Sequence, residues 1–268
     1  MTAHNEHETR LRKPLYINAS GIKLLDTEGP ALRVHMHEGP DRYFPLARLS
    51  RLIVRGAADM RGEALLNILK AGLSITWLHA DGSLAGHVLS ASPRHDELLN
   101  QRLQDLADTG ELSLVLENWR LAAMRRLIIK LVAPHLGWLK DLRARTIRHK
   151  AAARIYKRTG CNWQQEIRAL KPLLMALSLQ QWQELGVSPL WLDPGPERPD
   201  LAELIAGLME WPLWRIGLKL RRAPELQGWQ ARVAFFERHH QKLDTECARL
   251  VGDLAGHLHA TTPGLVQV

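Results

Sequence analysis

The chain has 268 residues, 46% hydrophobic, 24% charged and 6% aromatic, enough apolar material for one or two packed domains, which excludes a disordered tail. Thirty-six Lys and Arg against 28 Asp and Glu leave a formal charge of +8, a balance that favours a polyanionic partner. Cys161 and Cys247, with no CxxC pair and no metal spacing, exclude a disulfide framework and a cysteine zinc cluster and suit a reducing compartment. The polar stretch from Met1 to Lys13 has no signal-peptide core, and no run approaches the roughly eighteen apolar residues of a membrane span. A cytoplasmic protein with no membrane partner is therefore expected.

From Pro14 to about Ser90 short apolar runs are separated by turn residues, which predicts strands. Leu15 to Asn18 is followed by Ala19-Ser20-Gly21, and Ile22 to Leu25 by Glu28-Gly29-Pro30. Leu32, Val34 and Met36 then alternate with Arg33, His35 and His37, giving one dry and one wet face. Tyr43 to Leu46 and Leu49 to Arg55 continue the pattern. Arg61 to Lys70 places Ala64, Leu65, Ile68 and Leu69 on one helical face and ends before Gly72. Leu73 to His79 and Leu84 to Leu89, joined at Asp81-Gly82, predict a hairpin.

After Ser92-Pro93 the period becomes 3.6, so the fold class is α+β: a strand-rich unit over 1–92 and an all-helical unit over 93–268. The predicted helices are His95 to Ala107, Leu112 to Val132, Leu136 to Arg158, Trp163 to Leu185, Pro199 to Lys219 and Pro224 to His257. Pro134, Gly160, Gly186 and the loop holding Pro189, Pro194, Pro196 and Pro199 punctuate them. The nine Trp read as core and interface anchors, because none sits in a basic–aromatic alternation.

The charge is local. Twelve basic residues between Arg120 and Arg158, against the single acid Asp141, give this segment +11, so the rest of the chain sums to −3. The absence of nearby acids removes the usual salt-bridge explanation of a charged helix face, and Arg outnumbers Lys by eight to four. Nucleic acid is the partner class this favours, with Arg120, Arg125, Arg126, Arg145, Arg148, Lys150, Arg154, Arg158 and Arg198 as candidate contacts.

No GxGxxG after a strand, no P-loop and no HExxH is present, so dinucleotide, P-loop and zincin chemistry lack support. His240 and Asp244, spaced i, i+4 near His239, Glu246 and Cys247, have the geometry of a metal pair but no third ligand at fixed spacing, and read as a polar helix face. Asp193, Glu203 and Glu210 in the stretch Gly186 to Pro212 could share a divalent cation, but spacing alone favours Asp200 and Glu203 at a helix N-terminus and Glu210 on the surface.

Pro45-Leu46, Ile53-Val54, Gly56, Ala64-Leu65, Gly72, Trp77-Leu78, Gly82 and Gly86 stand in an order similar to that of the CRISPR-associated spacer integrase, the universal metal-dependent endonuclease of CRISPR adaptation. In the helical half, Ala153-Arg154-Ile155-Tyr156 resembles the end of that family's Glu-Gly-x-x-Ala-Arg-x-Tyr motif. Gly186 to Leu192, and Arg198-Pro199-Asp200-Leu201-Ala202 with Leu208-Met209-Glu210, resemble two further family stretches. The resemblance implies a homodimer formed through the N-terminal unit, DNA as partner, duplex or branched, a small CRISPR adaptation protein as a further partner, and Mg or Mn bound by a Glu, a His and an acidic residue.

The departures fall on those ligands. The Glu position is His149, followed by Lys150 where Gly is usual; the His position is Asp193; the third is Leu204 or, keeping the Leu208-Met209-Glu210 register, Gly207. The resemblance then implies an integrase-like DNA-binding protein with a degenerate site. The alternatives are an active nuclease using His149, Asp193, Glu203 and Glu210 around Mg or Mn, and a helical nucleic-acid-binding regulator or scaffold.

Overall fold

Runs such as Leu-Ile-Val, closed by glycines at positive φ, favour extended pairing over helix in the first third of the chain. The computed structural model describes residues 12–90, 96–136, 141–192, 198–224 and 226–262, and the chain divides into two units, Met1–Arg94 and His95–Val268. The first holds β1 (Lys13–Asn18), β2 (Ile22–Glu28), β3 (Ala31–Met36), β4 (Arg42–Pro45), β5 (Leu49–Arg55), α1 (Gly62–Lys70), β6 (Ile75–Leu78) and β7 (Leu84–Val88). One sheet has the order β1-β5-β6-β7, parallel except for the β6–β7 hairpin, and the other is the antiparallel meander β2-β3-β4.

Leu25, Leu32 and Val34 of the meander are packed in one core with Leu52, Val54 and Ile75 of the larger sheet and Ile68 of α1. The expected alternation of β3 holds: Leu32 and Val34 are buried, while Arg33 on the other face donates to Asp41 at 2.8 and 2.9 Å and to Glu28 at 3.0 Å. At the predicted Asp81-Gly82 turn, Gly82 takes φ +90 and Asp81 accepts the Ser83 amide at 2.8 Å. His87 on β7 lies beside the Thr76 hydroxyl at 3.1 Å, and its Nε2 is buried with no hydrogen-bond partner. Burial lowers this imidazole from 6.5 to about 4.

The second unit is helical: α2 (Glu97–Asp108), α3 (Leu112–His135), α4 (Ala144–Thr159), α5 (Trp163–Leu185), α6 (Leu201–Gly217) and α7 (Gly228–Ala260). The Leu136-to-Arg158 helix that the periodicity predicts is shorter. Asp141 accepts the Arg143 amide at 2.9 Å and the Thr146 hydroxyl at 2.9 Å, which turns the chain so that α4 begins at Ala144. The predicted start at Pro199 moves to Leu201, because the Asp200 side chain caps the helix by accepting the Glu203 amide at 2.8 Å. α3 runs through Pro134 to His135; the proline ring removes the amide that would bond the carbonyl of Lys130, and the helix ends one residue later.

Tryptophans fasten α5 to α6 at both ends. The Trp163 indole donates to the Leu213 carbonyl at 3.1 Å, and Trp182 donates to the Leu201 carbonyl at 3.2 Å. Trp163 also meets Phe235 of α7 edge-on, with centroids 5.7 Å apart. Seven of the nine tryptophans are buried; Trp77 is partly buried, and Trp138 lies outside the described residues.

Two outcomes follow from these packings. A Cβ at Gly217 would overlap Trp163 Nε1, fall 2.6 Å from Trp163 Cε2 and stand 2.8 Å from Ile155 Cδ1. Gly217→Ala is therefore expected to cost about 2 kcal/mol in urea unfolding despite the better helix propensity of Ala; an unchanged midpoint would show that the indole yields freely. For His87 the folded pKa lies below the unfolded one, so the unfolded chain binds the extra proton between them. This group's stabilisation is whole above pH 6.5 and is lost as pH falls towards 4, a change of about 3 kcal/mol that His87→Phe should remove from a denaturant–pH series.

Candidate nucleic-acid interface

α4 carries no acidic residue and buries only Ile147, Ala151 and Ile155 completely, one residue per turn. So narrow an apolar edge leaves much of its attachment to polar contacts, which its arginines supply. Arg148 pairs with Glu210 of α6 at 3.3 Å and lies 4.9 Å over the ring of buried Trp211. Arg154 donates to the His135 carbonyl at the end of α3 at 2.6 Å. Arg158 donates to the Leu218 carbonyl at 2.6 Å and to Gly217 at 3.3 Å, at the end of α6. Both satisfy carbonyls that a helix C-terminus leaves open, at its negative pole.

The reading that the basic segment lacks partner acids is corrected by the fold, because carboxylates arrive from outside it. Arg120 pairs with Glu117 through two contacts of 2.6 and 2.7 Å, one turn back on α3. Arg126 pairs with Asp253 and Lys130 with Glu246 at 3.7 Å, both acids on α7. Arg143 pairs with Asp141 at 2.8 Å. Burial works to raise the Glu246 carboxyl, but the Arg249 hydrogen bond, with Lys130 and Arg215, holds it below its ordinary range. Lys140 lies outside the described residues. Arg125 on α3 and Arg145, Lys150 and Lys157 on α4 are exposed and have no acidic partner among the described residues. These four make the open cationic surface.

A second positive locus surrounds His135. Burial, then Lys219, Arg154, Arg215 and Arg158, lower its pKa, and its Nε2 is buried without a hydrogen-bond partner. Arg215 and Lys219 lie outside the basic segment, so counting charge along the chain misses them. Arg198 stacks over Trp191 at 5.8 Å, away from α4 in sequence.

The metal candidates are dispersed. Glu203 pairs with Lys171 of α5, Glu210 with Arg148, and His149 is exposed on α4. Asp193 lies outside the described residues. Glu203 and Glu210 share a side of α6 as the spacing predicts, but each faces a side-chain cation from a different neighbouring helix. On α7, Asp244 accepts from Gln181 at 3.1 Å, and the His240 ring lies 6.4 Å from that of Phe236. No three His, Cys, Asp or Glu among the described residues form a cluster fit for a metal ion. Glu203 and Glu210 do not offer free carboxylates to the divalent ion that the resemblance implies, since an ammonium and a guanidinium already pair with them.

No family model matches the sequence, and no curated protein matches it. Solved structures do. TM1797, a CAS1 protein from Thermotoga maritima, is 12% identical and superposes with a TM-score of 0.70 over 96% of this chain and 100% of that one. The chain has the Cas1 fold. TtCas1 is 17% identical, with a TM-score of 0.63 over 94% of this chain and 98% of that one. A casposase bound to an integration product is 15% identical, with a TM-score of 0.57 over 94% and 92%. The expected α+β architecture, a strand-rich part followed by helices, is that of these Cas1 structures.

The ion pairs carry a direct test. Neither chelator nor added Mg or Mn is expected to shift the thermal midpoint beyond the effect of ionic strength. A metal-specific rise that Glu210→Gln abolishes would instead put Glu210 in a cation site.

Proposed function

We propose that this chain is a Cas1-type, CRISPR-adaptation integrase-like protein that binds DNA, duplex or branched, through α3 and α4, with the family's metal-ligand positions substituted. The observation that carries this reading is the acid-free face of α4, with Arg145, Lys150 and Lys157 exposed and without an acidic partner among the described residues, in a fold shared with a TtCas1 solved in complex with DNA. Surface cations without partner carboxylates release counterions when phosphates neutralise them, which is the main source of affinity for a polyanion. At the ligand positions, His149 stands between Arg148 and Lys150, so a divalent ion there would meet positive neighbours. Mg or Mn is in this reading dispensable for binding, and the protein acts on DNA by holding it.

A homodimer through the N-terminal unit belongs to the same proposal. It is supported by the exposed edge strands β4 and β7, where Tyr43 is half exposed and Leu84 exposed. A small adaptation protein is the further partner that the resemblance implies.

The ion-pair map separates cations free to bind DNA from those already used. Replacing Arg125, Arg145 and Lys150 together by Gln should weaken duplex binding and flatten the log K against log salt slope by about 2 to 3. The matched change at Arg120, Arg126 and Arg143, each held by a carboxylate, should move the slope far less. Fluorescence anisotropy across a salt series reads both; equal slopes for the two triples would reject the assignment.

A further inference from the structure

At 62% exposure Tyr156 is the most open of the large hydrophobic side chains among the described residues, and it sits on the most basic helix of the protein. Exposure of a ring costs the hydrophobic stabilisation that burial would bring, so its surroundings matter. At 100° per residue, the buried edge of Ile147, Ala151 and Ile155 lies on one side of α4. Tyr156 falls almost opposite, on the stripe of Arg145 and His149. Between His149 and the ring stand only Ala152 and Ala153, the preceding turn over which a helical side chain leans.

The charges are arranged around this ring. Arg145 and His149 lie along the stripe and Lys150 and Lys157 stand to one side of it, while Arg148 is held by Glu210 and Trp211, and Arg154 and Arg158 turn away to the helix ends they cap. No hydrogen bond engages the phenol among the described residues. A flat, exposed aromatic ring near Arg145, Lys150 and Lys157, which have no acidic partner among the described residues, is what an unpaired nucleobase needs: a surface to stack on, and charges within reach of the phosphates. A base inside a duplex cannot use such a ring, because both its faces are already stacked.

We propose that Tyr156 is a stacking platform for an unpaired base, so that the α4 face binds single-stranded nucleotides in addition to duplex. This rests on the nucleic-acid reading above and adds to it the form of strand that α4 takes. His149 and Arg145 then serve the strand's phosphates, and the two alanines serve as the space into which the base slides.

The test compares an oligothymidine strand with a duplex of the same length, using the full chain and the Tyr156→Ala and Tyr156→Phe variants, with anisotropy as readout. Tyr156→Ala should weaken the single strand about tenfold or more and leave the duplex within about twofold. Tyr156→Phe, which keeps the ring and loses the hydroxyl, should bind the single strand like the natural protein. Ultraviolet crosslinking of a 5-iodouracil strand should mark the peptide carrying Tyr156. Equal losses for both strand forms, or no loss for either, would overturn the platform and leave DNA binding standing. If the natural protein binds neither form, the DNA-binding reading fails, and the platform with it.

Discussion

Because only one edge of α4 is buried, the helix is held largely by its own arginines, and everything its outer surface can do depends on that. Ile147, Ala151 and Ile155 offer one contact per turn. The helix is tied down by Arg148 on Glu210 and Trp211, and by Arg154 and Arg158 on the carbonyl ends of α3 and α6. Arg154 and Arg158 satisfy helix ends, while Arg148 lies over the Trp211 ring with its charge on Glu210. What remains for a ligand is the opposite face, which no acid of α4 neutralises.

The same arrangement governs the carboxylates. Glu210 is held by Arg148 and Glu203 by Lys171, so the two acids best placed by spacing to share a divalent ion instead join α6 to α4 and α5. A guanidinium stacked on an indole offers a carboxylate a charged partner without stripping water from a hard cation, and it needs no ligand cage. Glu246 and Asp253 of α7 likewise take up Lys130 and Arg126 of α3. The strong positive charge of the segment is thus divided between internal cohesion and an outward field.

The scaffold that sets these partners in place is the tryptophan-bound pair of α5 and α6. Trp163 and Trp182 each bond a carbonyl of α6, one near either end, which limits sliding of one helix along the other. Gly217 admits the Trp163 ring beside Ile155, so the end of α6 and the buried edge of α4 meet at one contact. Glu210 and Trp211, a few residues back along α6, thereby come to face Arg148. A fold shared at 12 to 17% identity with Cas1 structures is what such a scaffold permits: packing volumes and helix ends are kept while surface chemistry changes.

The sequence alone determined the order and type of most elements, because the change of period near residue 92, the Asp81-Gly82 turn and the Trp163-to-Leu185 helix rest on interactions only a few residues apart. It also determined where the charge lies along the chain. It did not show the parallel pairing of β1 with β5, since strands so far apart carry no mark of their partner. Nor did it show which cations are free: Glu210, Glu246 and Asp253 reach the basic helices only when α6 and α7 pack, and an ion pair depends on distance in space. For the same reason the carboxylates spaced for a metal on paper were assigned by the tertiary structure to Lys171 and Arg148.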